Sequence, residues 1–190
     1  MIDLTKLDVQ KKLKPKIEAV IPLCISGDGQ EIALEFITWL RENKMSPSWS
    51  GVHNAWDAKC KSSTICKMGI SNGKDFLVTP YLLNIEEYEH LIIQNDLANF
   101  VLDNIIYCCH AYKYEREAGS PPIKHVGLNY PCDRWNCAPG KDIMICGQKI
   151  KNKCRNGNRR FYWFNNPDAI VIEAVKKLIL FEQQARKGLL

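Results

Sequence analysis

A chain of 190 residues that is 46% hydrophobic and 25% charged has the balance of a folded globule, which excludes a disordered or low-complexity protein. It is long enough to bury a core without disulfide staples. Its formal charge of +5 is too modest to mark a nucleic-acid binder by itself.

Residues Met1 to Lys16 mix acids and lysines with isolated Leu and Ile, without the unbroken apolar run of a secretory signal. The longest apolar-rich stretches elsewhere, Ile170 to Val175 and Leu178 to Phe181, fall far short of the ~20 residues of a membrane span. A cytoplasmic location is expected. The first predicted element is a helix over Gly29 to Asn43, with Ile32, Ala33, Phe36, Ile37 and Leu40 at helical spacing. Asp28 and Glu31 have the spacing of a capping box, with Asp28 as N-cap. Met45-Ser46-Pro47 ends the helix.

Three short runs follow, Ala55 to Cys60, Thr64 to Ile70 and Lys74 to Thr79, separated by Lys61-Ser62-Ser63 and Ser71-Asn72-Gly73. That punctuation predicts an antiparallel meander. Ile85 to Ile93 and Asp96 to Tyr107 read as helices, the second with Leu97, Val101 and Ile105 on one face. From Cys108 to Arg160 the chain turns rich in Pro, Gly, Asn, Lys and Cys, and includes Pro121-Pro122. A structureless loop of that length is unusual in a compact domain, so something must order it. Asp142 to Cys146 and Lys149 to Lys153 are predicted strands joined at Gly147-Gln148 as a two-residue hairpin. Phe161 to Phe164 reads as a last strand. A final helix then begins with Pro167 at N1 and Asp168 in the first turn. Val171, Val175 and Leu178 carry its apolar stripe to a basic end at Arg186 and Lys187, with Gly188 as C-cap. The expectation is a single α+β domain over residues 1–190. Its parts are a small antiparallel sheet packed with helices, a Cys-rich loop and hairpin region at 108–160, and a C-terminal helix.

Nine cysteines in a chain expected to stay in a reducing compartment read as metal ligands, buried small hydrophobes or reactive groups rather than as a disulfide framework. Six of them, Cys108, Cys109, Cys132, Cys137, Cys146 and Cys154, fall in the poorly patterned half. Zinc takes four thiolate or imidazole ligands in a tetrahedron. Cys132 and Cys137, with four residues between them, can form a ligand pair, and Cys154 follows a hairpin that can return it beside them. Cys109 supplies the fourth ligand. Cys108 is its alternative, because neighbours on a helix point about 100° apart and only one can face the metal. His110, His125 and Cys146 are reserves, and no C-x-x-C occurs. A structural zinc contributes roughly 10–16 kcal/mol in small peptides, against a net domain stability of about 5–15 kcal/mol. One Zn2+ held by Cys109, Cys132, Cys137 and Cys154 is therefore enough to order such a segment. The competing reading is that these thiols are buried as small hydrophobes. Cys24, Cys60 and Cys66 are read as core, with Cys60 and Cys66 able to face each other across the first hairpin.

Cys137-Ala138-Pro139-Gly140, then Ile143, Ile145, Gly147-Gln148-Lys149-Ile150, Cys154 and Phe164-Asn165-Asn166-Pro167-Asp168, resemble the C-terminal pattern of an uncharacterised family of small cytoplasmic bacterial proteins with a domain of unknown function. The helix ending in Trp39-Leu40-Arg41-Glu42-Asn43-Lys44-Met45 ahead of tryptophan-containing strands is similar too. The likeness covers about two thirds of the chain, as short motifs. The resemblance implies a bacterial cytoplasmic protein and assigns no activity. Relative to that pattern, this chain carries a long insertion between Cys109 and Cys132.

Three functional readings follow. In the first, a non-enzymatic binding or regulatory protein is stabilised by zinc, and Trp39, Trp49, Trp56 and Tyr81 either line a pocket for an apolar or cationic ligand or are core. In the second, the basic segment Lys149, Lys151, Lys153, Arg155, Arg159 and Arg160, followed by Phe161, Tyr162, Trp163 and Phe164, binds single-stranded nucleic acid through phosphate neutralisation and stacking. Against it, the alternating lysines suit the solvated face of a strand. In the third, Cys109 or Cys132 with His110 or His125 forms a nucleophile pair, but no third group orients it. Standard nucleotide, zinc-protease and hydrolase motifs are absent. Glu86 and Glu87 read as a solvated helix face.

Overall fold

The computed structural model describes residues 2–104, 141–153 and 164–190, with only the backbone at 141 and 151–153. Helices α1 (Leu7–Leu13), α2 (Ile17–Cys24) and α3 (Asp28–Glu42) come first. Strands β1 (Ser48–Trp49), β2 (Ala55–Cys60), β3 (Ser63–Ser71) and β4 (Asp75–Pro80) follow. A 3-10 turn at Ile85–Tyr88 leads into α4 (Glu89–Gln94) and α5 (Ala98–Asp103). The hairpin β5 (Lys141–Ile145) and β6 (Gln148–Lys153), then β7 (Phe164–Asn165) and α6 (Ala169–Lys187), complete the described chain. The fold is α+β, as the element pattern predicts.

The main sheet has the order β1-β2-β3-β4-β7, with each neighbouring pair antiparallel. The expected meander is present, each boundary lying within one residue of its expectation. One face of the sheet is apolar because residues in register share a face. Trp56 and Ala58 lie opposite Met68 and Cys66, which lie opposite Val78 and Pro80, and Phe164 joins opposite Val78. Trp56, Ala58, Cys66, Met68, Val78 and Phe164 belong to one buried cluster with Phe36, Ile37 and Leu40 of α3 and Ile172, Val175, Leu178 and Ile179 of α6. At about 25 cal/mol per Å² of apolar surface removed from water, this shared core is the main stabilising term. Ile143, Ile145 and Ile150 bring the small hairpin into the same cluster.

Several local expectations are corrected. Gly27, not Asp28, is the N-cap of α3: its backbone has φ +61 and ψ −151, a conformation that suits glycine, and its carbonyl accepts from the N–H groups of Gln30 and Glu31. Asp28 lies in the first turn, where its charge suits the helix dipole. Asp168 is the N-cap of α6 rather than a first-turn residue, Pro167 precedes the cap rather than standing at N1, and the Asp168 carboxylate accepts from Val171 N–H at 2.8 Å. The second hairpin turns at Cys146-Gly147, with Ile145 paired to Gln148. Both turn residues have positive φ, +50 and +71, the type I′ geometry that matches strand twist. Cys60 and Cys66 do not face each other. Cys66 lies opposite Ala58 and Cys60 opposite Ser63, where the chain turns tightly through Lys61 and Ser62.

The expected helix over Ile85 to Ile93 is split into the 3-10 turn and α4. The next helix ends at Asp103 with Asn104 as C-cap, and Ile105 to Tyr107 lie outside the described residues. Of the expected last strand, Phe164 is in β7 and Phe161 to Trp163 lie outside the described residues. The short helices α1 and α2 were not foreseen, and side-chain hydrogen bonds tie their segment to β1, β2 and the loop between them. Gln10 on α1 is fully buried, donates to the Leu4 carbonyl and Asn54 Oδ1, and accepts from Asn54 N–H and Trp49 Nε1. Trp56 Nε1 donates to the Pro15 carbonyl at 2.8 Å. No helix among the described residues is long and apolar enough to cross a membrane.

Candidate functional site

Cys109, Cys132, Cys137 and Cys154 lie outside the described residues, as do Cys108, His110 and His125. What the structure places is the frame that flanks them. Helix α5 ends five residues before Cys108. The hairpin pairs Lys141 with Lys153, so the chain that has just passed Cys137 and the chain about to reach Cys154 stand side by side, with Cα atoms roughly 5 Å apart. The turn of this hairpin is tied to α4, because Gly147 N–H donates to Glu89 Oε1 at 3.0 Å. Ile143, Ile145 and Ile150 seat the hairpin on the core, while Met144 and Lys149 on its other face are exposed.

Among the described residues, no group of three or more His, Cys, Asp or Glu side chains is placed to hold a metal ion. The described cysteines divide by environment. Cys60 and Cys66 are buried in the core, as expected, and burial pushes the Cys66 thiol far up, with the nearby Asp57 charge adding to that and a backbone hydrogen bond at Thr79 only partly opposing it. Cys24 and Cys146 are half-buried against the core. Burial, then the charge of Glu89, raises the Cys146 thiol, the direction that disfavours a thiolate ligand. Cys24 is raised by burial and then by Asp3.

Of the four aromatics read as either a pocket wall or core, the three tryptophans are engaged in packing or internal contacts. Trp56 is fully buried and is the cross-strand partner of Trp49, whose Nε1 is held by Gln10. Trp39, on α3, stacks on Phe36 with ring centroids 5.9 Å apart. The cation over its ring is the protein's own Lys176, with Nζ 5.9 Å from the centroid. Tyr81 uses its backbone N–H on Ile65 and its carbonyl on Arg186. Of the basic and aromatic segment, Lys149 is exposed and paired with Asp142 at 3.3 Å. Phe164 is buried and stacks on Phe100 with centroids 5.6 Å apart. Arg155, Arg159, Arg160, Phe161, Tyr162 and Trp163 lie outside the described residues, and of Lys151 and Lys153 only the backbone is described. Glu86 and Glu87 are exposed.

A buried polar constellation that sequence reasoning missed sits at the end of α6. Glu182 is fully buried, and its two carboxylate oxygens accept four hydrogen bonds. Oε2 receives Asn84 N–H at 3.0 Å and Tyr88 OH at 2.9 Å, while Oε1 receives Asn84 Nδ2 at 3.3 Å and Arg186 Nε at 2.7 Å. The Arg186 side chain is 8% exposed. It also donates to the carbonyls of Thr64 at 3.0 Å, Ser63 at 3.4 Å and Tyr81 at 2.8 Å. An ionised carboxylate has about four acceptor sites, and here they are taken. With no lone pair left for a substrate proton, Glu182 is suited to holding elements together rather than to acid–base work. Its i,i+4 spacing to Arg186 is the signal in the sequence, but the same spacing marks ordinary surface pairs.

No family model, no curated protein and no solved structure matches this chain.

Proposed function

We propose that the chain is a non-enzymatic cytoplasmic binding or regulatory protein whose Cys-rich segment is organised by a structural zinc ion on Cys109, Cys132, Cys137 and Cys154, and that it groups with the small bacterial proteins it resembles. The observation that carries this reading is the pairing of Lys141 with Lys153. Cys154 is the next residue after Lys153, and Cys137 lies four residues before Lys141. Four residues of extended chain reach at most about 14 Å, so both thiols can meet at one ion beside the open end of the hairpin. Two further considerations support it. Cys60 and Cys66 are accounted for as core, which leaves the thiols of the Cys-rich segment as the ones in need of a role. The described carboxylate best placed for buried chemistry, Glu182, is saturated by structural partners.

The test is elemental analysis of the purified protein, of Cys137→Ser and of Cys154→Ser. One zinc per chain in the parent and none in either variant supports the site. A folded, metal-free parent hands the cysteines to packing and removes the proposal.

A further inference from the structure

We draw no further inference here: the strongest candidate, the Glu18–Arg41 side-chain pair between α2 and α3 whose Glu18 Oε2 and Arg41 Nη2 are buried without a hydrogen-bond partner, carries nothing because both side chains remain about a third exposed, at 30% and 32%, and no second observation there points to a ligand.

Discussion

Glu182 and Arg186 stand four residues apart on α6, yet both are enclosed, and each completes the hydrogen bonding of groups on other elements. Removing one member of a buried ion pair strands the other, at about 3–5 kcal/mol. Glu182→Leu and Arg186→Met should therefore each lower stability by about that amount in urea denaturation. The double variant should lose less than the sum, by roughly 0.5–3 kcal/mol. Strict additivity would show that the two side chains act independently. The thiols differ in kind. Iodoacetamide followed by mass spectrometry should leave Cys60 and Cys66 unmodified in the native protein and label both in urea, because burial shields the sulfurs and disfavours the Cys66 thiolate. Native labelling of either would contradict the packing described. Residues of this kind were unevenly visible in the sequence. Cys60 and Cys66 lie on strands whose alternation marks an inward face. Gln10 sits among lysines and acids, and nothing in its neighbourhood announces that its amide is buried.

The hairpin β5–β6 and helix α6 are each set by chemistry at one end. Gly147 has φ +71 and open space around the position of an added Cβ, so the cost of a side chain there is backbone strain alone. Gly147→Ala should destabilise by about 1 kcal/mol, and Gly147→Asn by less, since Asn tolerates the left-handed region. Asp168→Ala removes the N-cap of α6 and should also cost about 1 kcal/mol. Thermal melts of the three variants compare these effects directly; equal stability of the Ala and Asn forms would argue against strain as the cause. At this scale the sequence was readable where turn residues punctuate it. Lys61-Ser62 and Asn72-Gly73 bracket strands that the structure reproduces nearly residue for residue. It was unreadable at α1 and α2, which are seven and eight residues long. Isolated helices of that length are marginal in water and owe their existence to packing. Pro22 inside α2 further disguises it, because it lacks the N–H a helix interior uses. The turn of the small hairpin was displaced by one residue because glycine suits either of two turn types, the second position of type I′ or the first of type II′, and Gly147 takes the former, after Cys146 at φ +50.

For the molecule as a whole, acid sensitivity follows from its carboxylates. Burial raises the Glu18 carboxyl, but the hydrogen bond from Arg41 Nε at 2.5 Å and the guanidinium charge outweigh it and hold the group below the usual range. Asp75 is likewise lowered, first by the Asn166 side chain and then by Asn72. A carboxyl depressed in the folded state adds stability that is present above its unfolded pKa of about 4. That stability is lost as pH falls through the folded value. The urea midpoint should thus decline below roughly pH 4.5, and less steeply in Arg41→Met; parallel curves for the two proteins would remove Glu18 as a contributor. The α+β architecture was readable from element order. The proposed metal site rests on a spacing of thiols alone, because the convergence of residues far apart in a chain is set by tertiary structure that periodicity does not encode.

The Arg186 guanidinium also bears on how the protein is made. It closes carbonyls at Ser63, Thr64 and Tyr81, and its bond to Thr64 spans 122 positions. At about 5–20 residues per second, a ribosome needs roughly 6–24 s to traverse that interval. Throughout that time the nascent β2–β3 corner stays wet or borrows another donor, and the emerging sheet waits for its last helix before the corner can close.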